Sequence, residues 1–172
     1  MANDSCMKRV LIIGCPGSGK STFARELQAV TGLPLCHLDL LYWNADRTTV
    51  PEVVFLQRLK EVLRQERWII DGNYSKTLEL RLQHCDTVLF LDYPTEVCLS
   101  GIASRIGKSR PDMPWTEEKA DPELLELVRC YPERERQAVL ALLDRYAGEK
   151  NIITFRTRED TGNYLAGLRN AK

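Results

Sequence analysis

The chain has 172 residues, of which 24 are Lys or Arg and 24 are Asp or Glu, so its formal charge is zero. This length is typical of one domain with one core, and the charge balance argues against a protein that coats nucleic acid, which needs excess cations. Hydrophobic residues make up 44% and charged residues 28%, which excludes wholesale disorder. Since no membrane span or secretory signal is visible, we expect a cytoplasmic protein without membrane contact, in which residues 1–6 form an unstructured extension.

Short apolar runs alternate with helical patterns along the chain. Thr49 and Glu52 form a capping-box pattern at the start of one helix, and Ser75 is placed to cap a shorter one. Pro94 is placed to open the helix after the fourth strand. The predicted strands are 10–13, 35–38, 68–70, 87–91 and 151–155, and the main predicted helices are 20–30, 49–63, 75–82 and 122–146, the last broken at Pro132, with a C-terminal helix to follow. This alternation favours an α/β fold with a doubly wound parallel sheet.

Residues 14–21 match the phosphate-loop pattern GxxxxGK[ST] between an apolar strand and a helix. Its glycines allow the backbone amides to bend around an anion. The helix N-terminus adds partial positive charge, and Lys20 adds a full charge at the β- and γ-phosphates. The Ser21 hydroxyl is placed to ligate Mg²⁺. The predicted nucleotide-binding residues here are Gly14, Cys15, Pro16, Gly17, Ser18, Gly19, Lys20, Ser21 and Thr22.

The nucleotide expected in this loop is ATP. A dinucleotide site needs GxGxxG, which is not the spacing found here. No Asn-Lys-x-Asp string is present to read guanine. Cys15 is either an inert loop thiol or, because a helix N-terminus lowers thiol pKa, a reactive one that ATP protects from alkylation.

Three predicted strands run into aspartates, and ligands of such sheets bind outside the carboxyl ends of the strands. Asp71 is the favoured Mg²⁺ ligand, with Asp92 either the alternative ligand or a cap for the next helix. Asp39 either accepts the proton of an acceptor hydroxyl during phosphoryl transfer or is a plain turn carboxylate. Tyr42 and Trp43 either stack on the acceptor or pack in the core.

Residues 107–122 cannot form a continuous helix or strand, because glycine and two prolines interrupt them. We expect an excursion over about 105–136 that forms a lid within a single domain, 1–172. Arg105 and Arg110 are the predicted catalytic arginines, since a lid arginine stabilises the charge on a transferred phosphoryl group. Arg134 and Arg136 either meet them or form a solvated face.

The order of these features resembles the adenylate-kinase-like P-loop kinases over nearly the whole chain. Within that group the chain looks most like the DNA topology modulation (FlaR-like) proteins, through the strings Leu38-Asp39-Leu-Leu-Tyr-Trp43, Trp68-Ile-Ile-Asp-Gly-Asn-Tyr-Ser75 and Arg110-Pro-Asp-Met113. The resemblance implies a P-loop NTPase fold, a three-layer α/β/α arrangement with five parallel strands in the order 2-3-1-4-5 and a small helical lid. It also implies that the Asp71 strand lies beside the phosphate loop and that Arg158 lies near the adenine.

The resemblance fails at two positions that bear on the acceptor. Adenylate kinases clamp the phosphate of a monophosphate acceptor with two arginines, and the corresponding positions here are Tyr42 and Ser75. Hydroxyls cannot replace charge-assisted, bidentate bonds, so unless Arg47 or Arg81 substitutes we expect a neutral acceptor with a free hydroxyl. The leading hypothesis is therefore an ATP- and Mg²⁺-dependent small-molecule kinase, for example of a nucleoside-like metabolite. The alternative is a nucleotide-dependent regulator that acts on DNA topology or on a protein partner.

Overall fold

The computed structural model describes residues 7–171, so the expected extension at 1–6 lies outside the described part. Five parallel strands form one sheet in the order β2-β3-β1-β4-β5, which confirms the predicted topology. The strands are β1 (Arg9–Gly14), β2 (Leu35–His37), β3 (Trp68–Asp71), β4 (Thr87–Leu91) and β5 (Asn151–Phe155). The helices are α1 (Lys20–Thr31), α2 (Leu38–Tyr42), α3 (Glu52–Leu63), α4 (Leu78–His84), α5 (Thr95–Arg105), α6 (Pro122–Cys130), α7 (Glu135–Tyr146) and α8 (Arg158–Asn170).

The central strand β1 is apolar on both faces because helices cover both sides of the sheet. Val10 and Ile12 belong to a core that includes apolar residues of α1, α5, α6 and α8. Leu11 and Ile13 point the other way, into a second core with α3, α4 and α7. This alternation gives three layers, with the carboxyl ends of β1, β2 and β3 side by side at one edge of the sheet.

The predicted breaks in the chain are confirmed, and two predicted caps are wrong. The helical pattern after the lid divides into α6 and α7 around Pro132. Helix α3 begins at Glu52 with Pro51 as its N-cap and no side-chain cap, so Thr49 forms no capping box. Ser75 opens a 3-10 turn, Ser75–Thr77, before α4 and likewise gives no side-chain cap. Capping motifs are local signals, and here tertiary packing decides where the helix begins.

The predicted second strand is one residue too long. Strand β2 ends at His37, and the chain turns at once into the short helix α2. Asp39 therefore lies in the first turn of a helix rather than at the end of a strand. Among residues 7–171, no helix has the length and apolar character that a membrane crossing requires.

Candidate functional site

The phosphate loop is the turn between β1 and α1. Gly17 and Gly19 have positive φ angles of 82° and 93°, which L side chains rarely adopt, so the chain needs glycine there. The Lys20 ammonium lies against the loop and donates hydrogen bonds to the carbonyl oxygens of Gly14, at 2.9 Å, and Cys15, at 3.0 Å. Burial lowers the pKa of Lys20, and the nearby Asp71 opposes that shift. A bound polyphosphate would supply the negative charge that this half-buried ammonium favours.

The loop rests directly on α5 through two glycines. A Cβ built on Gly17 would lie 2.1 Å from the Cys98 carbonyl oxygen, and one built on Gly101 would lie 1.9 Å from the Gly17 carbonyl oxygen. Such distances mean that backbone packs against backbone. Helix α5 therefore supports the loop from below, a role for Gly101 that no sequence motif indicates.

Asp71, at the end of β3, is joined to the phosphate loop by a short hydrogen bond. The Ser21 hydroxyl donates to Asp71 Oδ2 at 2.7 Å, and His37 Nδ1 lies 2.6 Å from Asp71 Oδ1. The Asp71 carboxylate is buried, so these two partners fix its orientation. Hydroxyl and carboxylate oxygens are the hard donors that Mg²⁺ takes together with substrate phosphates and water. Within residues 7–171 no three His, Cys, Asp or Glu side chains are grouped to hold a metal by themselves.

Asp92, the alternative Mg²⁺ ligand, is already paired. Arg136 of α7 donates to both Asp92 oxygens, at 2.7 and 2.9 Å, and Arg156 also pairs with this carboxylate. The structure thus places Arg136 at the end of β4 rather than beside Arg105 and Arg110 in the lid. Asp92 is a buried structural carboxylate in this arrangement, not a helix cap.

Replacing each aspartate by asparagine distinguishes the proposed role of Asp71 from that of Asp92. We expect Asp71→Asn to raise the Mg²⁺ concentration needed for half-maximal ATP turnover by tenfold or more, because the amide is a poor Mg²⁺ ligand. Asp92→Asn should leave that requirement unchanged and lower the free energy of unfolding by about 1–3 kcal/mol, since it breaks a partly buried, charge-assisted pair. Turnover measured against Mg²⁺ concentration tests the metal requirement of each variant, and urea unfolding tests its stability. A raised Mg²⁺ requirement in Asp92→Asn but not in Asp71→Asn would assign the metal to Asp92.

Asp39 faces the same cleft from α2. Its Oδ1 accepts a hydrogen bond of 2.6 Å from the Tyr74 hydroxyl. Burial raises the pKa of Asp39, whereas the Tyr74 hydrogen bond and the Lys20 charge lower it. A carboxylate in this position is suited to accept a proton from a bound hydroxyl.

The aromatic residues after Asp39 have two different surroundings. Tyr42 packs in a cluster with Phe55 and Tyr74, at ring-centroid distances of 5.5 and 5.0 Å, so its ring belongs to the core beneath the cleft. Trp43 lines the cleft and meets Trp115 of the lid edge-on at 4.8 Å. Of the two alternatives, core packing fits Tyr42, while Trp43 and Trp115 present indole rings to the cleft.

The two arginines considered as substitutes for the missing phosphate clamp make other contacts. Arg81 is fully buried and donates to main-chain carbonyls of residues 72–74 and of Thr77. Arg47 donates to the Thr116 carbonyl oxygen at 3.4 Å, which ties it to the lid. The Arg81 guanidinium is therefore committed to the backbone, whereas Arg47 is exposed and lines the cleft at the edge of residues 105–136.

Arg105 and Arg110, the arginines of the predicted lid, line the cleft and are held by carboxylates. Arg105 pairs with Glu117 at 2.7 Å, and Arg110 pairs with Asp112 at 3.0 Å. The buried Asp112 also accepts from Arg25 of α1 at 3.2 Å, so it connects the lid to the helix that follows the phosphate loop. The resulting cleft has a volume of about 860 Å³, at the upper end of the range for small-molecule sites. Arg25, Asp112 and Glu117 were not among the predicted site residues.

Most predicted site residues share this one cleft. Arg158 lies above the loop, with one guanidinium nitrogen 3.2 Å from a Cβ built on Gly19, and its guanidinium is 5.9 Å from the Tyr93 ring centroid. The loop residues Gly14, Cys15 and Ser18 lie beneath the surface of the cleft, and the side chain of each of the last two is buried. The predicted residues that line the cleft are Pro16, Gly17, Gly19, Lys20, Ser21, Thr22, Asp39, Asp71, Arg105, Arg110 and Arg158.

Of the two alternatives for Cys15, the structure favours the inert loop thiol. Cys15 is only 2% exposed, and its thiol interacts with that of Cys98. That interaction and burial raise the pKa of Cys15, so the thiolate that alkylation requires is disfavoured. The partial positive charge at the N-terminus of α1 does not outweigh these effects on the pKa of Cys15. The Cys15 side chain points into the core rather than toward the phosphate site.

The fold is similar to that of a solved kinase. The crystal structure of a shikimate kinase from Bacteroides thetaiotaomicron matches over 96% of this chain and 98% of that chain, with a TM-score of 0.57 and 18% sequence identity. The chain matches no model of a known protein family and no curated protein. The chain therefore shares the fold of this structure, a P-loop NTPase fold with five parallel strands in the predicted order.

Proposed function

We propose that this protein transfers the γ-phosphate of ATP to a hydroxyl of a neutral small molecule. One observation carries the proposal: Lys20, the Ser21–Asp71 pair and Asp39 all face one cleft beneath Arg105 and Arg110. This set contains a phosphate anchor, oxygen donors for Mg²⁺, a proton acceptor and cations to offset developing charge. Those are the parts that phosphoryl transfer needs, because its catalysis is mostly positioning and electrostatics.

In this proposal the loop amides and Lys20 hold the β- and γ-phosphates, and Ser21 and Asp71 hold Mg²⁺. The Mg²⁺ ion, when bound, offsets phosphate charge. The acceptor oxygen forms a bond to the γ-phosphorus while the bond between that phosphorus and the bridging oxygen of ADP breaks. Asp39 takes the acceptor proton. Arg105 and Arg110 exchange their carboxylate partners for the transferred group, and the lid excludes water that would otherwise hydrolyse ATP.

The surroundings of Asp39 support a neutral acceptor. The carboxylates of Asp112 and Glu117 line the cleft, and Arg81 is enclosed by carbonyls. Asp112 and Glu117 are paired with Arg25, Arg105 and Arg110, and Arg47 and Arg81 donate to main-chain carbonyls. These arginines are engaged by protein groups rather than arranged as a clamp for a charged group on the acceptor. The Trp43 and Trp115 rings offer flat surfaces to a ring-bearing acceptor such as a nucleoside or a sugar.

An acceptor screen tests the proposal. ATP consumption is measured with neutral nucleosides, sugars and polyols, each beside its phosphorylated or carboxylated counterpart. We expect a neutral compound to raise turnover at least tenfold over the basal rate, and Asp39→Asn to lower the stimulated rate by about 10²-fold while Mg-ATP binding is kept.

The matched control is Asp46→Asn, which removes an exposed carboxylate from the loop after α2. Its stimulated rate should equal that of the wild type. If no compound stimulates turnover, or if Asp39→Asn leaves the stimulated rate unchanged, the kinase proposal is wrong. Retention of duplex DNA with a steep negative salt dependence would instead favour the regulatory alternative.

A further inference from the structure

The segment after Asp71 has an unusual backbone. Tyr74 has a φ of 38° and a ψ of 66°, a left-handed conformation that is uncommon for an aromatic residue. Such conformations are strained and persist only where the surroundings hold them.

Arg81 is what holds this segment. Its guanidinium is fully buried and donates to the carbonyl oxygens of Gly72 at 2.9 Å, Asn73, and Tyr74 at 3.1 Å. None of the ion pairs among residues 7–171 includes Arg81. Burial lowers the pKa of Arg81 to about 10, yet the group stays cationic at neutral pH. These hydrogen bonds from one buried cation to three consecutive carbonyls constrain the backbone conformation of residues 72–74.

This backbone conformation directs the side chains of Asn73 and Tyr74 toward the phosphate loop and Asp39. Asn73 Oδ1 accepts from the Gly14 amide at 3.2 Å, which joins the segment to the phosphate loop. The Tyr74 hydroxyl donates to Asp39 Oδ1 at 2.6 Å. The Tyr74 ring is packed against Phe55, with centroids 5.2 Å apart, so the hydroxyl has little freedom to move. Burial and the adjacent Asp39 raise the pKa of Tyr74, so the phenol keeps its proton and remains the donor.

We propose that Tyr74 is a positioning residue, which binds one oxygen of Asp39 and thereby directs the other oxygen to the acceptor hydroxyl. This inference rests on the proposed function for the role of Asp39, although the contact itself does not. The hydrogen bond fixes the side-chain torsion of Asp39 before the acceptor binds. It also favours the ionised form, which is the one able to take a proton.

The first test needs no acceptor. The full chain is labelled with ¹³C at aspartate carboxyls, and the Asp39 signal is assigned by its loss in Asp39→Asn. Besides Tyr74, the groups that act on Asp39 are Lys20, Asp71 and Asp112, and Tyr74→Phe leaves all of them in place. We expect the pKa of Asp39 to be higher in Tyr74→Phe than in the wild type, because the donor that favours the carboxylate is gone.

Tyr42→Phe is the matched control, since it removes a phenol hydroxyl from the same aromatic cluster. It should leave the titration of Asp39 as in the wild type. Both variants keep their rings, so the cluster stays packed. An unchanged Asp39 titration in Tyr74→Phe, or an equal shift in both variants, would overturn the positioning role.

The second test uses whichever neutral acceptor the screen identifies. Tyr74→Phe should lower kcat by tenfold or more and shift the acidic limb of its pH profile upward, with KM for Mg-ATP unchanged. A loss confined to KM for Mg-ATP would contradict the proposal. If the screen finds no acceptor, the kinase proposal fails, while the carboxyl titration still decides whether Tyr74 controls Asp39.

Discussion

We expect the replacement of Lys20 by methionine to lower the proposed turnover of ATP by about 10²–10³-fold. The ammonium is the half-buried cation of the phosphate loop, held by the Gly14 and Cys15 carbonyls. Methionine keeps the length and apolar body of the side chain but removes the charge that offsets the β- and γ-phosphates. Mg-ATP binding should weaken in parallel, since the same charge acts in the ground state. Calorimetry with Mg-ATP and an ATP-consumption assay measure the two effects.

Lys60→Met supplies the control for this substitution. Lys60 is an exposed residue of α3, outside the cleft. Its variant should bind and consume ATP as the wild type does. If Lys20→Met binds Mg-ATP with wild-type affinity, residues 14–21 do not hold the polyphosphate, and the proposed function loses its anchor.

We expect Gly101→Ala to destabilise the protein and to weaken nucleotide binding, although Gly101 lies outside the phosphate-loop motif. The added methyl group would lie 1.9 Å from the Gly17 carbonyl oxygen, and backbone on both sides leaves no flexible side chain to move aside. Either α5 or the loop must shift. We expect the free energy of unfolding to fall by about 1–3 kcal/mol and the affinity for Mg-ATP to fall at least tenfold, because the amides would no longer converge.

Gly162→Ala is the matched substitution, a glycine to alanine change within helix α8. A Cβ at this position meets nothing within 4 Å. Alanine should therefore raise the free energy of unfolding by about 0.5–1 kcal/mol through helix propensity alone, with no change in nucleotide affinity. Urea unfolding measures the stability of both variants, and calorimetry measures their affinity for Mg-ATP. A Gly101→Ala protein as stable and as tightly binding as the wild type would show that the loop does not depend on its contact with α5.

The features predicted correctly from the sequence are those with a local signal. The phosphate loop is recognisable because its glycines and Lys20 have a required spacing, and the strands because apolar runs end at turns. The break at Pro132 follows from the missing amide hydrogen of proline. The predicted capping box at Thr49 is wrong because a short local pattern competes with tertiary packing. Helix α3 begins at Glu52 instead, with no side-chain cap.

The roles of the two strand-end aspartates show what a local pattern leaves undecided. Asp71 and Asp92 both follow apolar strands, and the residues next to them in sequence do not show which side chains each carboxylate meets. Arg136 and Arg156 come from distant segments to occupy Asp92, whereas Ser21 and His37 reach Asp71. The partners are 34 to 64 residues away along the chain, so only folding brings them together.

By itself the sequence determined the alternation of strands and helices, the sheet order through a recognisable family pattern, and the loop that would bind a polyphosphate. These depend on spacing, periodicity and backbone freedom, which neighbouring residues set. The tertiary structure decided which carboxylate meets Ser21, which hydroxyl holds Asp39, and that Arg81 braces a segment rather than binding an acceptor phosphate. Each of those outcomes depends on which side chains converge at the carboxyl ends of parallel strands, and that convergence exists only when the sheet is assembled.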